Sequence, residues 1–280
     1  MLENLNKRFE KLGLVSVVIP SNNSEKTIET CLNSIKAQTY KNVEIIIADN
    51  YSTDKTRRIA ENFGVRVVLC RGGRSRARNV GVNLAQGEFV LSLDSDMELT
   101  SNVINECVSK IKTDFDAVII PEFSVGEGFW AECRALEKLC YVGDDLIEAA
   151  RFFRKDVFES ICGYDDKLVF GEDWDLNQRI TAKYRIGRTN AFIKHHEGRL
   201  RLSINIKKKY QYGKTLHKYA KKNPKESKQQ LSVIRPAFLK NWKKLCNDPS
   251  HAVGMLFMKA CEFTAGFFGS LEAKMDTYKN

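Results

Sequence analysis

Residues 15–49 read "VSVVIPSNNSEKTIETCLNSIKAQTYKNVEIIIAD" and contain the repeating element of the fold. Residues 15–20 and 43–49 are β-branched, apolar runs with the length and composition of buried strands. Between them apolar residues recur at helical spacing, which predicts a helix over residues 26–38 capped by Ser24. Strand, helix and strand in this order indicate parallel strands joined by a crossover helix.

The same alternation continues towards residue 95. Two further helical segments separate strands predicted over residues 65–70 and 88–94. We therefore predict an α/β fold with a doubly wound, mostly parallel sheet and flanking helices. Ligands of such sheets bind beyond the carboxyl ends of the strands, where Pro20, Asp49 and Asp94 lie.

The chain becomes less regular after residue 100. The elements predicted there are a strand at 115–123, a helix at 128–142, a helix from near Glu172 and a strand at 188–198. Beyond residue 200 the composition becomes basic and aromatic, and then apolar. We predict one domain over residues 1–199 and a helical C-terminal region over residues 200–280.

Composition limits the class of partner. The 280 residues include 45 Lys+Arg and 35 Asp+Glu, a net charge of +10, which favours nucleic acid, phospholipid or nucleotide phosphates as partners. The eight cysteines show no C-x-x-C spacing, which predicts reduced thiols in a cytoplasmic protein. Residues 1–20 have charges scattered through them and no apolar segment of the length of a signal-peptide h-region, so we expect no secretory signal there.

Two acids follow the strand at 88–94, in the stretch "EFVLSLDSDMELT". Asp94 and Asp96 are separated by one serine and could share Mg²⁺ or Mn²⁺, which bind one or two carboxylates together with substrate phosphates. The alternative is an acidic turn that only ends a strand. The convergence of the strand ends favours the metal site.

Other polar residues are predicted near the same edge. Asp49 could accept hydrogen bonds from a nucleobase or a ribose hydroxyl, whereas Asp54 is interpreted as an acid stabilised by a helix N-terminus. Arginines near a helix N-terminus oppose its dipole and invite an anion, although they could also form a solvated basic face. The arginines in this position are Arg71, Arg74, Arg76 and Arg78.

A third group of residues could handle protons. Glu172, Asp173 and Asp175 lie within four positions at the start of a predicted helix, and one of them could be a general base. An acidic helix cap is the alternative. His195 and His196 end a predicted strand, and alternation would direct one of the two towards a metal or a phosphate.

Five segments together resemble the inverting family-2 glycosyltransferases with the GT-A fold. In family order they are "VSVVIPSNNSEKTIETCLNSI", "VEIIIADNYSTDKT", "SRARNVGVNLAQGEFVLSLDSDMEL", "CGYDDKLVFGEDWDLNQRI" and "HH" at residues 195–196. They lie between residues 15 and 198. Each segment alone is a weak signal, but five in order are specific.

The resemblance implies roles by position. Asp173 would be the catalytic base, and Glu172 and Trp174 would contact or orient the acceptor. Mn²⁺ or Mg²⁺ would be held by Asp94, Asp96 and His195. The residues expected to bind the nucleotide sugar are Pro20, Ser21, Asn23, Asp49, Arg74, Arg78, Asp94 and Ser95.

Two loops depart from the family pattern. "PSNNSE" lacks the aromatic residue that commonly precedes the asparagine, and "DNYSTD" has Tyr51 where glycine is typical. Neither departure touches the positions assigned to the metal or the base.

The resemblance implies a transfer of sugar from a UDP- or GDP-sugar to a glycan or a lipid-linked acceptor, such as a polyprenyl phosphate carrier. A nucleotidyltransferase and a non-catalytic nucleic-acid-binding protein are the alternatives. The first usually shows a glycine-rich loop with a lysine after the first strand, and the second a nucleic-acid motif. The absence of the glycine-rich loop argues against a nucleotidyltransferase. Because no nucleic-acid motif is found either, we expect no nucleic-acid partner.

The apolar segment at residues 252–271 suggests a membrane contact. Lys259 and Glu262 near its middle argue against a spanning helix. A helix in the interface fits better, with lysines facing anionic headgroups and four phenylalanines inserted. These phenylalanines are Phe257, Phe263, Phe267 and Phe268. The helices could instead pack on the catalytic domain or form a homo-oligomer contact.

Overall fold

A computed structural model describes residues 13–232 and 235–279. The expectation of no secretory signal in residues 1–20 concerns residues that lie mostly outside these ranges. Contacts group the chain into two compact units. The first unit contains the chain up to Pro121, Ala149–Asp166 and Leu176–Lys194; the second contains Glu122–Glu148, Lys167–Asp175 and the chain from His195 onward. The domain boundary near residue 200 stays a prediction.

Ten strands are present in the described residues. They are β1 (Val15–Ser21), β2 (Val43–Asp49), β3 (Arg66–Leu69), β4 (Phe89–Ser92), β5 (Met97–Leu99), β6 (Ala117–Ile119), β7 (Glu122–Glu127), β8 (Ala150–Arg154), β9 (Ile186–Arg188) and β10 (Ile193–Arg199).

Twelve helices are present in the same ranges. They are α1 (Ile28–Lys36), α2 (Thr56–Asn62), α3 (Arg74–Leu84), α4 (Val103–Thr113), α5 (Phe129–Tyr141), α6 (Lys155–Ser160), α7 (Glu172–Thr181), α8 (Leu202–Lys222), α9 (Pro224–Gln230), α10 (Pro236–Lys240), α11 (Trp242–Asn247) and α12 (Pro249–Lys279).

The first unit is built on a seven-stranded sheet with the order β3-β2-β1-β4-β8-β6-β9. Strands β3, β2, β1 and β4 are parallel, as the alternation of strands and helices predicts. Strand β8 is antiparallel to both β4 and β6, and β9 is parallel to β6. The predicted doubly wound, mostly parallel sheet with flanking helices is confirmed.

Both faces of this sheet are covered. Because successive side chains of a strand point to opposite faces, β1 contributes Val17 and Ile19 to one core and Val18 to another. Ile47 and Ile46 of β2 divide in the same way. Burial on both faces explains why these strands are continuously apolar in sequence.

The start of α1 differs from the prediction. The helix begins at Ile28 and has no side-chain cap. The hydroxyl of Ser24 lies 2.8 Å from the hydroxyl of Ser95 instead, so the prediction of Ser24 as the N-cap is wrong. Periodicity located the helix, but a tertiary contact took the capping side chain.

The second unit contains β7, β10 and most of the helices after residue 200. Its core joins α5 to the C-terminal helices and contains Cys133, Leu136, Cys140, Tyr141, Ala237, Phe238, Ala252, Met255 and Met258. Helices α8 and α12 pack in parallel, with Asn205 bonded to Glu262 and Lys214 paired with Glu272 further along both helices. The predicted helical C-terminal region is confirmed.

The charges in the middle of α12 point into this unit. The ammonium of Lys259 lies 2.8 Å from carboxylate oxygens of both Glu137 and Glu262, and Arg134 pairs with the same two acids. Burial raises the pKa of Glu262, but Lys259, Lys209 and Arg134 outweigh it and lower that pKa to about 2. Glu262 is therefore ionised and compensated inside the unit.

By length and composition, one helix among the described residues could cross a membrane, the segment Pro249–Met275, whose most apolar 18-residue stretch has a mean hydropathy of 1.2. Of this most apolar stretch, 44% is buried inside the structure. Core helices of soluble proteins share this length and composition.

Candidate active site

A tight turn presents the two acids at the carboxyl end of β4. The amide of Leu93 donates to the carbonyl of Val18 at 3.0 Å, which extends the pairing of β4 with β1 to the residue before Asp94. The amide of Met97 then donates to the carbonyl of Asp94 at 3.1 Å and closes the turn. Asp94 and Asp96 therefore lie where ligands of a parallel sheet bind.

Two arginines hold the carboxylate of Asp94. Nη2 of Arg78 is 2.7 Å from one oxygen, and Nη1 of Arg151 is 3.6 Å from the other. Burial raises the pKa of Asp94, but Arg78, Arg151 and Arg74 outweigh it and hold that pKa well below its usual range. Asp94 is consequently ionised and fixed in direction.

Arg78 reaches Asp94 because α3 packs very close to the sheet. A Cβ on Gly81, one turn further along α3, would lie 2.3 Å from Cγ1 of Val18 in β1. The side chain of Arg78 is 0% exposed, and its guanidinium lies 5.0 Å from the ring centroid of Tyr164. A fully buried guanidinium requires compensation, which the carboxylate of Asp94 and the ring of Tyr164 supply to Arg78.

Arg151 is a site residue that sequence reasoning missed. Because β8 runs antiparallel to β4, the N-terminal end of β8 lies at the carboxyl end of β4. Arg151, the second residue of β8, is thereby brought to Asp94, from which it is 57 positions away in sequence. An arginine inside the apolar run at residues 149–153 was the signal available.

The other predicted arginines differ from Arg78 in exposure. Arg71, Arg74 and Arg76 are exposed, and Arg74 opens α3. Arg74 is close enough to contribute to the lowered pKa of Asp94. The structure thus brings Arg74 and Arg78 to the acidic turn, and contact of either with a nucleotide stays a prediction.

The donor set at the turn suits a divalent ion that is shared with a ligand. Within residues 13–232 and 235–279, no group of three or more His, Cys, Asp or Glu side chains could hold a metal ion. Mg²⁺ and Mn²⁺ need only one or two carboxylates when substrate phosphates supply other oxygens. Asp96 fits this role, whereas the oxygens of Asp94 already face arginines.

The thiol of Cys31 lies under the turn and contacts its backbone. Its Sγ is 3.7 Å from the carbonyl of Asp94. Burial, with the charges of Asp96 and Asp94, raises the pKa of Cys31 far above its usual value. Beside these two acids the thiol is therefore protonated.

Asp49 organises the loop that follows β2. One of its oxygens accepts hydrogen bonds from the hydroxyls of Ser21 and Ser52, at 2.8 and 2.5 Å. The other accepts from the amide of Ser52 at 2.9 Å. Asp49 is 0% exposed, so these contacts give it a structural role, and direct contact with a nucleotide stays a prediction.

The loops after β1 and β2 are also tied together by Asn23. Its amide donates to the hydroxyl of Ser52, and its side-chain oxygen accepts from the amide of Thr53 at 2.9 Å. Pro20 is buried, Asn23 is exposed, and Ser95 contacts Ser24. The structure thus brings the predicted nucleotide residues of the first unit to the carboxyl edge of the sheet.

In the second unit, three acids open α7 and differ in exposure. Glu172 is buried, and Asp175 is 0% exposed with both oxygens paired to Lys222, at 2.9 and 3.1 Å. Asp173 is half-buried. A general base must reach its substrate, so Asp173 is the acid of the three that best meets this requirement.

His195 lies on β10 beside a carboxylate of β7. Its Nδ1 is 3.5 Å from an oxygen of Glu122, which also pairs with Lys138. A carboxylate next to one ring nitrogen is the usual partner of a metal-binding histidine. A metal role for His195 stays a prediction.

The sequence matches the family model "Glycosyl transferase family 2" over residues 16–162, more than half of the chain. The chain belongs to glycosyl transferase family 2. The matched residues include the acidic turn and both arginines that hold Asp94. They end before Asp173.

Similar proteins include two bacterial glycosyltransferases. The glycosyltransferase GlyG of Streptococcus pneumoniae is 37% identical over 114 residues, which cover 38% of each chain. The UDP-Glc:alpha-D-GlcNAc-diphosphoundecaprenol beta-1,3-glucosyltransferase WfgD of Escherichia coli is 39% identical over 88 residues, which cover 30% of this chain and 35% of WfgD. The chain therefore spans well under half the length of these curated relatives.

A solved structure shares the fold over nearly the whole chain. The mannosyltransferase PcManGT from Pyrobaculum calidifontis, in complex with GDP-Man and Mn²⁺, aligns with a TM-score of 0.63 at 16% identity. The alignment covers 96% of this chain and 94% of PcManGT. The likeness confirms the GT-A-like fold.

Proposed function

We propose that the chain is a metal-dependent, inverting glycosyltransferase that moves a sugar from a UDP- or GDP-sugar to a glycan or lipid-linked acceptor. The pair of acids at the carboxyl end of β4, inside the segment matched to the family, carries this proposal. The family match supports this activity over the nucleotidyltransferase and nucleic-acid-binding alternatives.

Donor binding would use the acidic turn. A nucleoside diphosphate leaves readily only when its developing negative charge is neutralised, and Mn²⁺ or Mg²⁺ supplies that neutralisation when bound. Asp96 would hold the ion, with His195 as a candidate further ligand. Asp94, ionised and fixed by Arg78 and Arg151, would accept a hydrogen bond from the ribose.

Proton removal would fall to Asp173. It would take the proton from the acceptor hydroxyl while that oxygen attacks the anomeric carbon from the face opposite the diphosphate, so that the configuration inverts. The partial exposure of Asp173 beside two buried acids supports this assignment. Trp174 and Glu172 would contact or orient the acceptor.

A panel of sugar nucleotides tests the donor proposal. With Mn²⁺, we expect one UDP- or GDP-sugar to raise the melting temperature and to be hydrolysed slowly. At a hundredfold excess over its Kd, a ligand stabilises the folded state by about 2.7 kcal/mol. If no sugar nucleotide stabilises the protein while a labelled oligonucleotide is retained, a nucleic-acid-binding role replaces the proposal.

The exposed face of α12 supports a peripheral membrane contact. Seven large apolar side chains on this helix are between 39% and 69% exposed: Val253, Leu256, Phe257, Phe267, Phe268, Leu271 and Met275. We call them the apolar stripe. Phe263, predicted with them, is half-buried. An apolar outer face above buried charges is the reverse of an ordinary surface helix.

Charge favours a lipid surface over a second copy of the chain as the partner of the stripe. Helix α8, which packs along α12, has no acidic residue and exposes Lys207, Lys208, Lys218 and Lys221. Two copies joined through α12 would bring these lysines close together, whereas anionic headgroups would attract them. Such a contact would suit a lipid-linked acceptor. WfgD, by its name, acts on a diphosphoundecaprenol-linked sugar.

In a flotation assay, we expect the protein to rise with vesicles of phosphatidylglycerol and phosphatidylcholine. The variant Phe267→Asp/Phe268→Asp should remain in the bottom fraction. Loss of buried apolar area and the added negative charge both weaken insertion. The matched control is Asn62→Asp/Gln86→Glu, which adds the same charge at exposed positions of the first unit and should still float.

Two outcomes would contradict the membrane contact. One is equal flotation of the stripe variant and the unmodified protein. The other is a dimer in solution that the stripe variant converts to a monomer, which would make the stripe an interface between copies.

A further inference from the structure

The segment that carries the three acids is held by an aromatic cluster. Phe170 lies 5.4 Å from Trp174 and 5.9 Å from Tyr212 of α8, measured between ring centroids. Trp174 also lies 5.9 Å from Tyr219 of α8. All four residues belong to the second unit. Contacts of this kind stabilise aromatic pairs beyond the area that they bury.

Tyr219 forms the floor of this cluster. It is 0% exposed, and its hydroxyl bonds Gln230, which in turn donates to the carbonyl of Leu146 at 2.7 Å. Gly171 has a φ of +76°, and a Cβ there would lie 2.8 Å from the ring of Tyr219. The backbone just before the acids therefore lies directly on this ring.

An ion pair fixes the other side of the segment. Nζ of Lys222, at the end of α8, lies 2.9 and 3.1 Å from the two oxygens of Asp175. The amide of Asn223 adds a contact of 3.3 Å to the same carboxylate. Since Asp175 is 0% exposed, removing Lys222 would take a compensating positive charge away from a buried carboxylate.

Asp173 is thus held from both sides. Before it, Gly171 rests on Tyr219; after it, the indole of Trp174 donates to the carbonyl of Ile147 at 2.8 Å, and Asp175 pairs with Lys222. A catalytic group that moves by about 1 Å can lose about 10²-fold in rate. Local tethers of this kind fix the direction of a side chain.

We propose that Tyr219 and Lys222 are positioning residues that hold Asp173 for proton removal. Helix α8 then takes part in the reaction through its contacts with residues 171–175. This inference rests on the proposed function, in which Asp173 is the base. It makes the C-terminal region necessary for turnover on its own account, independently of any membrane contact.

The test compares lysine variants in hydrolysis of the UDP- or GDP-sugar that the thermal panel selects, with Mn²⁺. Lys222→Met should lower kcat by roughly 10- to 100-fold with an unchanged KM for the donor. Lys222→Arg should restore most of the rate, because it keeps the charge. The matched control Lys225→Met removes an exposed lysine of α9 and should leave kcat unchanged.

A second pair of variants tests the ring. Tyr219→Phe keeps the aromatic contacts and should retain kcat, whereas Tyr219→Leu should lower it. Melting temperatures are measured for every variant. If Lys222→Met does not fold at the assay temperature, Lys222→Gln takes its place, and the kcat ratio to Lys222→Arg decides.

The positioning role is overturned if Lys222→Met and Lys225→Met have equal kcat values, or if Lys222→Met raises the donor KM and leaves kcat unchanged. Failure of the proposed function looks different. If Asp173→Asn keeps the full kcat, the base assignment fails whatever Lys222 does. If Asp173→Asn loses kcat and Lys222→Met does not, only the positioning role fails.

Discussion

Asp173→Asn is expected to lower kcat by about 10²- to 10⁴-fold, because an amide cannot accept the proton that a general base removes. The amide has nearly the shape of the carboxylate, so the fold and the affinity for the sugar nucleotide should persist. Stopped assays of turnover, with donor binding followed by thermal stabilisation, measure the two quantities separately.

Glu172→Gln is the matched comparison, since it makes the same chemical change at the neighbouring, buried acid. Glu172→Gln should change the melting temperature more than it changes kcat relative to the affinity for the donor. A donor affinity that falls with Asp173→Asn while the rate constant stays the same would remove Asp173 from the base role and place it among the donor contacts.

Asp96→Ala is expected to abolish metal-dependent turnover while the fold persists. The residue lies in a turn beyond the end of β4, and the proposed metal ligand is lost without opening the core. Stabilisation of the protein by the sugar nucleotide should lose its dependence on Mn²⁺, which a titration of the melting temperature measures.

Glu98→Ala is the control for Asp96→Ala. Glu98 is an acid two positions further on, and its carboxylate pairs with Lys194 at 2.9 Å. Its loss should leave Mn²⁺ dependence intact. Turnover that still rises with Mn²⁺ in the Asp96→Ala variant would show that the ion is held elsewhere.

Local patterns in the sequence were sufficient for the parallel half of the sheet. β1, β2 and β4 are continuously apolar because both faces of each strand are buried, and the helices between them show a helical period. Such patterns involve neighbours in sequence, so they can be read without the fold. The positions of Asp94, Asp96 and Asp173 at strand or helix ends followed from the same patterns.

The surroundings of these acids could not be read in this way. Arg151 reaches Asp94 only because β8 runs antiparallel to β4, and the direction of a strand leaves no local signal. The sequence did not reveal that Asp49 is buried under three hydrogen bonds from Ser21 and Ser52, and its contact with a nucleotide stays a prediction. A residue far away in the chain decides the first result, and another, Ser21, contributes one bond to the second.

The charges of the C-terminal region divide in the same way. The sequence by itself determined that α12 is long and apolar and that Lys259 and Glu262 interrupt it. Only the tertiary structure decided that these two charges point inward to Glu137 and Arg134. The physical reason is that a charge is buried only where an opposite charge compensates it, and those partners come from α5, more than 100 positions earlier in the chain.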